Sequence, residues 1–163
     1  MDLIPRKTIE STWIEVEQKS YDELLALKES FVEDQPQVNI FLLKFTDHIS
    51  QEAIDLTFHY SIIIWEIFKK SSTKSVPEIS SEVLYSCIED REKWLDKIDN
   101  FNYQKIDQLI SNNDSIHQAN ILSYALEVIL EEGEDNLDFN NEDQSYLFWL
   151  LLIIIDAFDK VIS

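Results

Sequence analysis

Four ionisable side chains in the segment 50–70 have the types and the spacing that could hold a metal ion. Glu52, Asp55, His59 and Glu66 fall within about 60° of one another on a helical wheel that turns about 100° per residue. Carboxylates and imidazoles projecting from the helices of a bundle bind metal ions, which then activate water. The alternative is a solvated stripe, because an amphipathic helix presents its charged residues to water on one face.

Glu66 and Asp156 form a second candidate pair, since each interrupts a very apolar segment. If the fold brings the two carboxylates together, they could share a proton or a cation. The alternative is that each marks the wet edge of a buried helix. Together, the two groups predict a metal-dependent enzyme with Glu52, Asp55, His59, Glu66 and Asp156 as ligands or acid–base groups. The Glu-x-x-His pair of di-iron bundles is absent from the sequence.

The strongest charge signal is a long stretch without any basic residue. The chain has 13 basic and 32 acidic residues and a formal charge of −19, and no Lys or Arg occurs between Lys105 and Lys160. A surface of this sign repels nucleic acids and anionic membranes but attracts a basic protein. The acidic side chains that we predict to contact such a partner are Glu127, Glu131, Glu134, Asp135, Asp138, Glu142 and Asp143.

Two simpler explanations of these acidic residues stay open. Negative charge keeps a protein soluble without any partner. The residues of 131–143 could also lie at the start of the last helix, where negative charge complements the helix dipole.

The same loop resembles a calcium loop only in part. Oxygen side chains alternate from Asn136 to Glu142, but the sixth position is Asn141 instead of Gly and the twelfth is Leu147 instead of Glu. The single Gly of the chain excludes phosphate-binding Gly-rich loops, and the Cys and His clusters of zinc sites are absent. We therefore expect no cofactor.

Composition favours an all-α protein of the cytoplasm. One Gly and three Pro in 163 residues are too few for the tight hairpin turns of a sheet protein. Cys87 has no second cysteine to pair with, and it falls on the apolar side of its segment, which predicts a buried structural thiol. The apolar run 146–155 is shorter than the roughly 20 residues of a membrane-spanning helix.

Seven or eight helices are expected in one domain, 1–163. Ser20 and Glu23 form a capping-box pattern, Pro36 suits a first helical turn, Ser50 opens a further helix, and Gly133 suits a helix end. The predicted segments are 8–19, 20–33, 36–49, 50–70, 78–98, 103–110, 115–132 and 141–162.

Similar blocks recur on both sides of a predicted linker, 71–77. The segment 62–70 aligns without gaps to 152–160, which predicts an internal repeat of 1–70 and 78–163 packed about an approximate two-fold axis. Chance similarity between amphipathic helices is the alternative. The long apolar run of the last helix also needs cover on more than one side, which makes a homodimer a further prediction.

Taken together, the sequence favours a non-enzymatic binding or regulatory protein whose acidic C-terminal half engages a basic protein partner. Small acidic helical proteins that neutralise a toxin or another effector have this composition. The metal-dependent enzyme is the alternative.

Overall fold

Residues 1–162, which the computed structural model describes, form nine α-helices and no β-strand. The all-α prediction is therefore confirmed. The helices are α1 (Arg6–Glu17), α2 (Tyr21–Asp34), α3 (Pro36–Phe45), α4 (Gln51–Ser71), α5 (Ser81–Arg91), α6 (Trp94–Lys97), α7 (Tyr103–Ser111), α8 (Ala119–Asp135) and α9 (Asn141–Ile162).

Local side-chain chemistry sets several helix starts, as the sequence indicates. At the start of α2, the Ser20 hydroxyl accepts from the backbone NH of Glu23, and the Glu23 carboxylate accepts from the backbone NH of Ser20. Pro36 occupies the first turn of α3, where no backbone NH is needed. The Ser50 hydroxyl accepts from the backbone NH of Ala53 and begins α4. These three predictions are confirmed.

The predicted helix 78–98 is interrupted, and this accounts for nine helices instead of seven or eight. The indole Nε1 of Trp149, on α9, donates to the backbone carbonyl of Arg91 at 2.9 Å. That carbonyl is the last of α5, and the indole supplies the bond that a continuing helix would have made. The chain then turns, and Trp94 enters the core at the start of α6.

The predicted helix end at Gly133 is wrong, because α8 continues to Asp135. Gly133 does not have a positive φ, so it is not needed as a left-handed cap. A Cβ at this position would lie 2.4–2.8 Å from the end of the Gln144 side chain. Gln144 is buried and donates to the carbonyl of Phe139 at 2.6 Å. The glycine therefore gives α9 room to approach α8 closely.

The two longest helices, α4 and α9, lie at the centre of the fold. Ten residues of α4 and fifteen of α9 are buried, and the rings of Phe68 and Phe158 pack with centroids 5.3 Å apart. α9 also contacts α5, α6 and α8, so its apolar run is covered within one chain. That run therefore gives no reason for a homodimer, which stays a prediction. Within residues 1–162, no helix has the length and apolarity to cross a membrane.

Two buried glutamines anchor the extended segments that precede α5 and α1. Gln35 donates to the carbonyl of Pro77 and accepts from the backbone NH of Ile79, both at 2.9 Å. Gln118 donates to the carbonyl of Asp2 at 2.9 Å and accepts from the backbone NH of Ile4 at 3.0 Å. Each glutamine thus satisfies two backbone groups far away in sequence.

Replacement of Gln35 by alanine should lower the free energy of unfolding by about 2–4 kcal/mol. The change leaves the Pro77 carbonyl and the Ile79 NH without their partner, and a buried unsatisfied polar group costs about 1–3 kcal/mol. Urea unfolding followed by circular dichroism measures the loss. Gln37→Ala, at a half-buried position on α3, is the matched control and should change stability by less than about 0.5 kcal/mol. Equal losses in the two variants would contradict the anchoring role.

Candidate interaction surface

The seven acidic residues predicted to bind a partner lie on α8, on the following loop and at the start of α9. Two of them have partners inside the chain. Glu127 forms an ion pair with Arg6, whose guanidinium also lies 5.2 Å from the centroid of the Tyr124 ring. Asp143 is buried, and its carboxylate accepts from the backbone NH of Ser50 at 3.4 Å. These two carboxylates join elements of the fold.

The other five side chains are exposed to solvent. They are Glu131, Glu134, Asp135, Asp138 and Glu142.

Contacts with α4 place the α8–α9 loop beside two further carboxylates. The side-chain amide of Asn136 donates to Glu52, and Asp143 holds the first turn of α4 through Ser50. Asp55 lies one turn after Glu52, is exposed, and accepts from the Gln51 side-chain amide at 2.9 Å. We call the combined set the acidic surface; it consists of Glu52, Asp55, Glu131, Glu134, Asp135, Asp138 and Glu142.

The negative potential of this region extends to a buried tyrosine. Tyr60 lies on α4, and its pKa is raised first by burial and then by the charges of Glu132, Glu17 and Glu131. An ionised phenol would add a further negative charge near these carboxylates, which disfavours its ionisation. The charges of acidic residues on α8 and α1 therefore raise the pKa of a side chain on α4.

The end of α8 is an unfavourable place for acidic residues. Glu131, Glu132, Glu134 and Asp135 occupy its final turns, and no basic residue lies in the last turn. The carboxyl end of a helix carries partial negative charge, so these side chains oppose the helix dipole. The interpretation that the acids complement the dipole of the last helix is therefore wrong for these residues. It holds for Glu142 and Asp143, which lie in the first turn of α9.

An apolar side chain stands in the middle of the acidic loop. Leu137 is 97% exposed, between Asp135 and Asp138. An exposed leucine alone is ordinary on protein surfaces. Here it gives the acidic surface an apolar contact point.

Three of the candidate metal ligands share one cleft, yet each has a partner in the fold. Glu52, Asp55 and His59 line a cleft between α2 and α4, and His59 Nε2 lies 2.8 Å from a carboxylate oxygen of Glu17. Within residues 1–162, no group of three or more His, Cys, Asp or Glu side chains is placed to hold a metal ion.

Glu66 and Asp156 each have a cation of their own. Lys69 Nζ lies 2.5 Å from Glu66 Oε1 and 3.6 Å from the centroid of the Trp65 ring. Asp156 accepts from Arg91 Nε at 2.6 Å. The sequence left open whether the two carboxylates meet. In the part of the chain that the structure describes, each is paired with a cation instead of with the other.

Sequence reasoning missed Arg91, a buried cation that joins α5 to α9 and to the loop before α8. Its side chain is 7% exposed and donates to the carboxylate of Asp156 and to the hydroxyl and carbonyl of Ser115, at 2.8 and 3.0 Å for Ser115. Burial raises the pKa of Asp156, and the bond to Arg91 opposes that rise. The sequence did contain a signal for the burial of Arg91, because this residue lies four positions after Cys87 and therefore on the same face of the helix.

Cys87 behaves as the sequence predicts. The thiol is fully buried, and burial raises its pKa to about 11, which keeps it protonated and unreactive at neutral pH.

Comparison of the chain with protein-family models, with curated proteins and with solved structures found no match in any of the three.

Arg91→Ala should lower the free energy of unfolding by about 3–5 kcal/mol at neutral pH, because it leaves the carboxylate of Asp156, which is only 17% exposed, without the cation that donates to it. Lys160→Ala is the matched control, since it removes an exposed ion pair with Asp90 and should cost less than about 1 kcal/mol.

The Arg91→Ala loss should shrink as the pH falls toward the raised pKa of Asp156. Asp156 in the folded variant binds a proton near its raised pKa, whereas Asp156 in the unfolded chain binds one only at lower pH. Protonation of Asp156 therefore favours the folded state. Urea unfolding of both variants at several pH values measures this. If the loss of stability in Arg91→Ala is the same at neutral and at mildly acidic pH, the unpaired charge of Asp156 is not its cause.

Neutralising the end of α8 should stabilise the protein. The double variant Glu134→Gln/Asp135→Asn removes charges that oppose the helix dipole and should raise the free energy of unfolding by roughly 0.3–1 kcal/mol at low salt. Glu142→Gln, at the start of α9, should lower it by a similar amount. Thermal unfolding in low-salt buffer tests both. Changes of the same sign in the two variants would refute the electrostatic assignment.

Proposed function

We propose that this chain is a non-enzymatic binding and regulatory protein that captures a basic protein partner on its acidic surface. The observation that carries the proposal is the position of the acidic residues at the carboxyl end of α8, where they oppose the helix dipole. Their placement lowers the stability of the free chain, and a cationic partner would remove that penalty.

Solubility alone does not account for this arrangement. Dispersed charges of both signs keep a protein soluble, and acidic side chains could occupy helix starts at no electrostatic cost. Here five solvent-accessible carboxylates follow one another along α8, the loop and α9, and the loop contact through Asn136 adds Glu52 and its neighbour Asp55. A continuous surface of one sign steers an oppositely charged protein and selects against acidic ones.

The role that fits such capture is inhibition or neutralisation. A bound acidic surface would cover the basic surface of its partner and compete with any anionic ligand of that partner. The lone buried thiol is compatible with the reducing cytoplasm, where we place this encounter.

We further propose that the chain consists of two similar halves, 1–70 and 78–163. Three pairs of features support the duplication. Gln35, before α3, anchors the segment before α5, and Gln118, before α8, anchors the segment before α1. Phe68 and Phe158, which are equivalent in the repeat, contact each other. Helix contacts pair in the same way, since α3 packs on α5 and α1 packs on α8.

Affinity capture with charge-matched variants tests the acidic surface. The test variant carries four neutralising substitutions, Glu131→Gln, Glu134→Gln, Asp135→Asn and Asp138→Asn. The control carries four at exposed positions elsewhere, Glu29→Gln, Glu33→Gln, Asp34→Asn and Glu89→Gln. Proteins retained from lysate of the source cells at about 0.05 M and about 0.3 M salt are identified by mass spectrometry.

The wild-type chain and the control should retain the same basic protein at low salt and release it at higher salt, because exposed charge pairs are screened. The test variant should not retain it. Equal retention by the test variant and the control would refute the proposal.

A further inference from the structure

A groove between α2 and α4 joins the acidic surface to an apolar pocket. Two clefts adjoin each other at Lys28 and His59, which line both, and we call the pair the groove. One end holds Glu52 and Asp55. The other end, with a volume of about 140 Å³, is lined mainly by Tyr21, Leu24, Leu25 and Ile62.

The apolar end is formed by a helix that is poorly buried. Phe31 is the one fully buried side chain of α2 within its fourteen residues. Tyr21 and Leu25 remain 79% and 43% exposed, while Ile62 of α4 closes the floor of the pocket at 4% exposure. A cleft of this volume is smaller than a typical small-molecule site and holds a single apolar side chain.

One end of the groove is negative, because Glu52 and Asp55 line it. His59 lies beside the Glu17 carboxylate, and Lys28 is the cation that lines both clefts. The end with Glu52 and Asp55 therefore favours a cationic group of an occupant.

The spacing of the two ends fits one face of a helix. Asp55 and Ile62 are seven residues apart on α4, which corresponds to two turns and roughly 10 Å. A helix lying along the groove would place residues i and i+7 at the same separation.

We propose that the groove is the docking site of a basic amphipathic helix of the partner protein. One large apolar side chain enters the pocket between Tyr21, Leu25 and Ile62, and Lys or Arg side chains two turns away face Glu52 and Asp55. This mode is the helix-in-groove recognition in which apolar anchors give affinity and charges give orientation. The inference rests on the proposed function, because it specifies how the basic partner would bind.

A second copy of this chain is a poor occupant. The chain carries a formal charge of −19, and its apolar helices are flanked by acidic residues. Docking of one copy on another would bring like charges together at Glu52 and Asp55, which is unfavourable. Charge complementarity selects a basic helix instead.

A synthetic peptide that carries only the two expected anchor types tests the inference. The probe is a fluorescein-labelled, Ala-based helical 14-mer with one Leu and, seven residues away, two adjacent Arg. A scrambled peptide of the same composition is its control. Binding to the full chain is measured by fluorescence anisotropy, and the contacted residues are identified by amide chemical-shift changes in the ¹⁵N-labelled chain.

The probe should bind more tightly than the scrambled peptide and shift the amides of Leu24, Leu25 and Ile62 together with those of Glu52 and Asp55. Leu25→Ser should weaken binding about tenfold, since it removes most of an apolar contact. Val32→Ser is the matched control, because Val32 is 52% exposed on the same helix but lies outside both clefts. It should leave the affinity unchanged. Circular dichroism verifies that both variants fold.

Several results would overturn the groove. These are failure of the probe to bind, equal affinity for the scrambled peptide, equal affinity of Leu25→Ser and wild type, and a chain dimer that Leu25→Ser dissociates. A different result would contradict the proposed function. This result is retention of the partner by the fourfold variant of the α8–α9 region. If that variant loses the captured partner while Leu25→Ser retains it, the acidic surface binds the partner and the groove does not.

Discussion

The contact between α4 and α9 is the constraint on which the rest of the structure depends. Ten residues of α4 and fifteen of α9 are buried, and other helices of the chain keep these side chains from water. α1, α5 and α8 pack around the pair, which leaves α2 at the periphery with a single fully buried side chain. The burial of α4 and α9 thus determines that α2 remains mostly exposed.

Buried polar groups determine how the surrounding segments join this centre. Gln35 and Gln118 hold the extended segments before α5 and α1, and Arg91 joins α5 to α9 and to the loop before α8. Such groups contribute less by forming their bonds than they would cost if a partner were removed. They therefore disfavour arrangements of the helices in which these groups would lose their partners.

The residues that give the protein its negative charge are not the residues that build its core. Carboxylates at the end of α8 oppose the helix dipole, and the core would form without them. Leu137, at 97% exposure, and the apolar end of the α2–α4 groove add exposed apolar surface. These charges and this apolar surface lie outside the core, and they are the features on which we base the proposed binding of a partner.

The sequence by itself determined the features that depend on neighbours a few residues away. The helical class, the capping box at Ser20 and the buried state of Cys87 follow from composition, spacing and local hydrogen bonding. Tertiary structure alone decided the break after Arg91, the passage of α8 through Gly133, and the internal partner of Glu127. Each of these depends on a side chain more than ten residues distant, and no local pattern encodes which distant side chain arrives.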